Sequence, residues 1–304
     1  MDFRISGDML EARRLLPPDA GGYQLTELRI LQPCPVCGSQ YTAYVRQVPT
    51  RRTNREIPLY SCLDCQSFWN PSGYREDEAQ LRRDLQWNLS VRDRNTEAAN
   101  TLFDRLSHEG IAPRSVAEIG CGIGTLLNVA RDRGMEIVGH DVNAVAIEHA
   151  KTEFGLALSS ALWTAETPTP PVDLYLCIMV LEHMEDPGLL LRELCKAAMA
   201  QQAALFVSVP FLNRKKWHFI LEPDPMTAGT PFFDNDVHVT HFSKKGMIAA
   251  FDRFGCAGAK PFSGGLWNGV LWQPTSEATK SDSATRLSWL KWPWKRNAEA
   301  QARS

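Results

Sequence analysis

The sequence predicts an α/β protein: a doubly wound, mostly parallel sheet preceded by a small cysteine-rich module. Three observations carry that expectation. A short apolar run, Ser115–Ile119, meets the glycine-dense stretch Gly120-Cys121-Gly122-Ile123-Gly124, and a helical pattern, TLLNVARDRG over 125–134, follows. A second run, MEIVGHDVN over 135–143, comes next and carries Asp141 near its end. Upstream, four cysteines fall into two Cys-x-x-Cys pairs. Strand, glycine turn, helix and strand in that order make a βαβ unit, and such units build parallel sheets.

At 304 residues the chain has room for one large domain and one small one. Its 44% hydrophobic and 22% charged residues are ordinary for a soluble globular protein. The formal net charge of −2 gives no global pull towards nucleic acid. The opening residues, MDFRISGDMLEARRLLPPD, show no apolar signal-peptide core. No stretch reaches the ~18 apolar residues of a membrane helix. A cytoplasmic protein is therefore expected, organised as an N-terminal extension (1–29), a cysteine module (30–72), a helical connector (73–112), a main domain (113–274) and a tail (275–304).

The cysteine pairs read CPVCG, with Cys34 and Cys37, and CLDCQ, with Cys62 and Cys65. Each pair offers two thiolates from one tight knuckle, and a tetrahedral Zn²⁺ takes four such ligands. Pro35 and Gly38 suit the turn, one fixing φ and the other permitting positive φ. The intervening YTAYVRQVPTRRTNREIPLYS alternates apolar and polar residues as short antiparallel strands do. The segment resembles a zinc ribbon. Four cysteine ligands close the site to water, so the zinc is expected to be structural. Redox dithiols are the alternative, but no βαβ pattern surrounds these pairs. Arg46, Arg51, Arg52 and Arg55 between the knuckles read as a solvated hairpin face.

From 76 to about 110 the text is rich in Glu, Asp, Arg, Ala and Leu and reads as one or two helices ending at Gly110 and Pro113. The glycine loop that follows β-like Ser115–Ile119 opens a helix, so its backbone can approach a ligand closely and present N–H groups. Asp141 ends the second strand, where a carboxylate accepts hydrogen bonds from ribose hydroxyls. A ligand carrying adenosine is expected. A dinucleotide site favours G-x-G-x-x-G, whereas Thr125 and Leu126 follow Gly124 here. Glu118 before the loop would repel a pyrophosphate and suits an ammonium.

Glu118-x-Gly120-x-Gly122-x-Gly124, with Asp141 closing the second strand, resembles class I S-adenosylmethionine-dependent methyltransferases. VDLYLCIMVLEHMEDP (172–187) is similar to their fourth-strand motif. A helix over 188–200, a strand over 204–211, a helix over 242–255 and an antiparallel pair over 259–274 follow in the family's order. The resemblance spans about residues 95–274, extends to the ubiquinone-type O-methyltransferases, and implies a Rossmann-like sheet. It implies that Gly120, Cys121, Gly122 and Gly124 surround the methionine part of the cofactor, and that Glu118 supports its ammonium. Asp141, with Val142 beside it, would hold the ribose. Cys177, Met179 and Val180 would lie along the cofactor, and the adenine would fall near Ser160 to Leu162.

His183 is the leading base, because it follows the fourth strand; a packing histidine is the alternative. Ubiquinone-type relatives use a second Glu three positions before the Glu-His pair to help bind a divalent metal. Met179 stands there, so a catalytic metal is not expected. The long segment over 212–241 is rich in Pro, aromatics and His, as a lid over the acceptor would be. His238 and His241 at its end are further catalytic candidates; the alternative is that they hydrogen-bond the lid shut. Trp217, Phe232 and Phe233 serve the lid or pack.

Residues 275–286 read as a linker, and 286–304 carries Trp289, Trp292 and Trp294 among Lys291, Lys295 and Arg296. That composition matches a peripheral membrane contact; packing on the protein's own domain is the alternative. The sequence thus points to an S-adenosylmethionine-dependent methyltransferase acting on O or C of a small-molecule, glycan or lipid-linked acceptor. An RNA methyltransferase gripping nucleic acid with its ribbon, and a non-catalytic cofactor-binding scaffold, are the two other readings. The charge of −2 opposes the first, and the intact loop with Asp141 opposes the second.

Overall fold

The structure is a computed structural model that describes residues 33–49, 56–71, 78–212 and 237–274. The N-terminal extension, most of the expected lid with Trp217, Phe232 and Phe233, and the tryptophan-rich tail lie outside the described residues. No described helix is long and apolar enough to cross a membrane. The described residues up to Trp272 form one contact unit.

The cysteine-rich segment folds as expected from its alternation. Strand β1 (Thr42–Pro49) pairs antiparallel with β2 (Glu56–Cys62), with a register shift between Tyr44 and Arg46. A two-residue strand β3 (Phe68–Trp69) continues the sheet. Two helices follow, α1 (Glu78–Ser90) and α2 (Arg92–His108). Helix α2 buries Ala98, Ala99, Leu102, Phe103 and Leu106, the i, i+3, i+4 stripe that seats it on the main sheet.

The βαβ unit stands where the sequence puts it. Strand β4 (Ser115–Ile119) is buried throughout, as a central parallel strand covered on both faces must be. Helix α3 (Thr125–Asp132) turns Leu126, Leu127, Val129 and Ala130 inward. Strand β5 (Glu136–His140) begins exposed and ends buried. Helix α4 (Ala144–Phe154) is capped by the Asn143 side chain, which accepts from the N–H groups of Val145 and Ala146, and it stops at Gly155 in the left-handed region.

Strand β6 (Leu174–Ile178) is buried at every residue and runs into a short 3₁₀ turn, Leu181–His183. Helix α5 (Pro187–Gln201) starts with Pro187 in its first turn, and the Asp186 carboxylate accepts from Leu189 N–H. Strand β7 (Ala204–Ser208), a two-residue strand β8 (Thr240–His241), helix α6 (Lys244–Arg253) and strands β9 (Lys260–Gly264) and β10 (Trp267–Trp272) complete the order. The main sheet runs β5-β4-β6-β7-β10-β9. β4 is parallel to β5 and β6, β6 is parallel to β7, and β10 is antiparallel to β7 and β9.

The segment over 156–163 adds only one parallel bridge to the sheet edge, His140 with Ser159. Its text, LALSSALW, has no sustained apolar run to support more. The chain order reverses between β4 and β6. In doubly wound sheets the ligand crevice opens there, beyond the carboxyl ends of the strands.

Two apolar layers sandwich the sheet. Leu174, Leu176 and Phe206 face one, with α2 and α3. Tyr175, Cys177, Leu205 and Val207 face the other, with α5, α6 and the cysteine module. The module therefore shares the main domain's core. Strand β8, from beyond β7, is the fourth strand of the module's own sheet, in the order β1-β2-β3-β8.

Candidate active site and cysteine centre

The loop after β4 is built on glycine because its path takes positive φ. Gly120, Gly122 and Gly124 have φ of +82°, +53° and +72°, the left-handed region that L side chains rarely adopt. A Cβ on Gly120 would lie 2.2 Å from Val180 Cγ2, so the loops after β4 and β6 touch at the point where the chain order reverses. The loop is braced internally. Gly120 and Cys121 donate their N–H groups to His140 O at 2.7 and 3.1 Å, and Gly124 N–H donates to Cys121 O at 2.8 Å.

Gly122 N–H donates to Asp141 Oδ2 at 2.7 Å, and Asn143 N–H donates to Asp141 Oδ1 at 2.8 Å. Four loop N–H groups are thus already engaged. The donors expected to face a ligand instead shape the turn, and the ligand side is left to carboxylates and close backbone. Burial raises the Asp141 pKa, against the lowering effect of these two backbone bonds.

Glu118 is 5% exposed, and its Oε2 has no hydrogen-bond partner. Burial first, and the Asp141 charge second, push its pKa well above the usual carboxylate range. A buried carboxyl with a free oxygen is a place where a cation would bind strongly. Val142, next to Asp141, and Leu162 expose apolar side chains, and Met179, at φ +56°, is 41% exposed at the end of β6. The thiol of Cys177 is fully enclosed in the core, and Cys121 is buried. Desolvation raises both thiol pKa values, so neither is a ready thiolate.

Helix α1 reaches this crevice, which sequence reasoning did not foresee. Asn143 Nδ2 donates to Leu81 O at 3.2 Å, and Asn88 Nδ2 lies 3.6 Å from where a Gly122 Cβ would be. Asp84 on the same helix acts electrostatically on both Asp141 and His183. Periodicity marks α1 as a helix but not the face it turns to the loop.

The second half of the site gathers at the 3₁₀ turn. His183 Nδ1 lies 3.2 Å from Val237 O, which requires the proton on Nδ1 and leaves the Nε2 lone pair available. His183 and His238 meet edge to face with ring centroids 4.9 Å apart. Glu182 is 1% exposed, and its Oε1 is 3.9 Å from His183 Nε2. Ligand atoms of Glu182, His183 and His238 lie within 4.8 Å of one another, a spacing that also suits a cation.

Burial lowers the His183 pKa and raises that of Glu182 to about 8, so both are neutral near pH 7. His241 is buried in β8, its backbone opposite Phe68 of the cysteine module. Glu182 is the residue that reading the sequence passed over. Its signal was the adjacent Glu-His at a strand end.

In the cysteine module, Sγ atoms of Cys34 and Cys65 are 3.7 Å apart, and those of Cys37 and Cys62 are 3.6 Å apart. These distances exclude disulfides. They match the edge of about 3.8 Å expected of a sulfur tetrahedron around zinc at ~2.3 Å. All four ligand atoms lie within 4.8 Å. Crowding among the four sulfurs raises the Cys34 pKa, chiefly through its bond to Cys37.

Among curated proteins, the ubiquinone biosynthesis O-methyltransferase of Rhodopseudomonas palustris (strain BisA53) is 32% identical over 174 residues, covering 55% of this chain and 64% of that protein. That of Stutzerimonas stutzeri (strain A1501) is 28% identical over 121 residues, 38% of this chain and 52% of that protein. The chain spans about half the length of the curated relatives it matches. Among solved structures, an O-methyltransferase family protein from Burkholderia thailandensis is similar at 16% identity and a TM-score of 0.48, over 66% of this chain and 63% of that one. Human N-acetylserotonin methyltransferase is similar at 16% identity and a TM-score of 0.47, over 64% of this chain and 57% of that one. The family model for the methyltransferase domain matches residues 91–259, more than half of the chain, from the start of α2 to the approach to β9. The chain therefore belongs to the methyltransferase-domain family.

Proposed function

We propose that this protein is an S-adenosylmethionine-dependent methyltransferase that methylates O or C of a small-molecule acceptor, glycan-linked and lipid-linked compounds included. The observation that carries the reading is the buried, unpartnered Glu118 beside a glycine turn tied to Asp141. S-adenosylmethionine supplies an electrophilic methyl group on a sulfonium. Glu118 would take its ammonium, which restores the partner that the carboxyl lacks and draws it into the ionised form. Asp141 would take the ribose hydroxyls with lone pairs not used by Gly122 and Asn143. Val142 and Leu162 are apolar surfaces suited to the adenine, and Met179 to the length of the ligand.

His183 is the base of this reading. Its Nε2 lone pair accepts the acceptor's proton, and Val237 O steadies the Nδ1–H that balances the resulting charge. His238 stands against the same ring. In-line displacement needs alignment more than acid–base power, so walls that fix donor against acceptor supply much of the rate. Cys34, Cys37, Cys62 and Cys65 would hold a structural zinc ion.

Isothermal titration of the intact protein with S-adenosylmethionine tests the reading. Saturable heat whose affinity falls in Asp141→Ala supports it. Absence of binding by the intact, zinc-loaded protein overturns it.

A further inference from the structure

One short run of chain joins the cysteine knuckles to the histidine pair. On its site side, Val237 O meets His183 Nδ1 at 3.2 Å, and Val239 N–H donates to Glu182 O at 2.7 Å. On its other side, Val239 O accepts from Asn70 N–H at 2.8 Å, and Thr240 and His241 pair with Trp69 and Phe68. Val239 is thus clamped between the cysteine module and the 3₁₀ turn through both of its backbone groups.

The run is then tied to the second knuckle. Ser243 N–H donates to Ser67 Oγ at 3.1 Å, while Ser243 Oγ donates to the carbonyl of Cys65 and caps α6 by accepting from Gly246 N–H at 2.8 Å. The fit is close: a Cβ on Gly246 would lie 2.5 Å from Ser67 Oγ and 3.1 Å from Cys65 Sγ. Ser67 O in turn accepts from Cys62 N–H at 2.9 Å, inside the knuckle. The links from Cys62 and Cys65 to Ser243, and from Val237 to the His183 ring, are hydrogen bonds between buried or half-buried groups, where a lost partner is expensive, and the backbone of 237–243 joins the two ends.

We propose that the cysteine knuckles position the histidine pair: through Ser67 and Ser243 they hold residues 237–243 so that Val237 O fixes the His183 tautomer and His238 stays against its ring. Ser67 and Ser243 are positioning residues that act through residues 237–243. The base role of His183 rests on the methyltransferase reading, but the linkage itself does not.

The test uses the full zinc-loaded chain. Long-range ¹⁵N NMR reports the His183 tautomer, amide exchange reports the Val239 N–H, and calorimetry reports S-adenosylmethionine binding. In Ser243→Ala the Nδ1–H tautomer loses population and Val239 exchanges about tenfold faster, while cofactor affinity holds within about twofold. Ser243→Thr, which keeps the hydroxyl, restores both signals. Removing the metal with a chelator moves both in the same direction.

An unchanged tautomer and unchanged Val239 exchange in a folded Ser243→Ala protein overturn the proposal. Should that variant fail to fold, Ser67→Ala, which deletes only the acceptor for Ser243 N–H, decides by the same two signals. Failure of the cofactor reading shows separately, as absence of calorimetric binding in the unsubstituted protein.

Discussion

Asp141 Oδ2 holds the N–H of Gly122 at 2.7 Å, so the carboxylate that ends β5 also shapes the loop that ends β4. Its other oxygen holds Asn143 N–H, the residue that caps α4. One side chain thereby fixes three pieces of the crevice: the glycine turn, the strand end and the next helix. Burial raises the Asp141 pKa, so the structure carries a cost for keeping this group ionised. Such a cost is reasonable where a ligand's hydroxyl donors share the charge.

Asp141→Ala should weaken S-adenosylmethionine binding by ~1–3 kcal/mol, the scale for leaving buried donors without a partner. Asp141→Asn should fall between, because one carbonyl oxygen can satisfy Gly122 or Asn143 but not both as the carboxylate does. Titration calorimetry measures both. An affinity for the alanine variant equal to the parent's would falsify the ribose assignment.

The loop glycines separate shape from access. Gly120 and Gly122 both have positive φ, and alanine there costs about 1–2 kcal/mol in backbone strain. At Gly120 the new methyl would also strike Val180 at 2.2 Å, whereas at Gly122 the nearest atom is Asn88 Nδ2 at 3.6 Å. Gly120→Ala should therefore lower the urea midpoint clearly more than Gly122→Ala. Gly122→Ala should fold and lose cofactor affinity, since its methyl points into the space beneath α1. Equal stability losses in the two variants would refute this division.

Much of this was legible in the sequence, for identifiable reasons. β4, β6 and β7 are apolar runs bounded by glycine, proline or an Asp-Pro cap, and each signal is local. The Cys-x-x-Cys pairs announce their own geometry. The β3–β8 pairing was not legible, because two residues on each side carry no periodicity and the partners, Phe68 and His241, lie far apart in the chain. That pairing takes His241 into the module's sheet and leaves His238 with His183. The Glu182 burial was hidden for a related reason: a carboxylate at a strand end is usually solvated, and the segment that reaches this turn, with Val239 N–H on the Glu182 carbonyl, comes from far along the chain.

Glu182 yields a pH prediction with a definite sign. Its folded pKa is raised to about 8, mainly by burial, from an ordinary value near 4.5. Between those values the folded chain keeps a proton that the unfolded chain releases, so folding stability falls as pH rises through that window. The slope from this group approaches about 1.4 kcal/mol per pH unit. Glu182→Gln is neutral at every pH and lacks that decline. Denaturant unfolding at about pH 5 and about pH 9 should show the variant gaining stability over the parent as pH rises. Parallel curves for the two proteins would mean that Glu182 titrates normally.

His183 carries the last prediction, in which chemistry and binding must separate. Its Nε2 is the free nitrogen, and burial lowers its pKa, so the neutral form persists at pH values where an exposed histidine is charged. A base of this kind contributes typically 10²–10⁴-fold. His183→Ala should slow methyl transfer by about that factor and change cofactor affinity far less, because Glu118, Asp141 and the glycine turn are untouched. Transfer from isotopically labelled S-adenosylmethionine to a metabolite extract, counted by mass, gives the rate, and calorimetry gives the affinity. In the parent, the rate should climb with pH and level off below the usual histidine range. Full activity in the alanine variant would leave His183 only its bond to Val237 O, and with it a packing role.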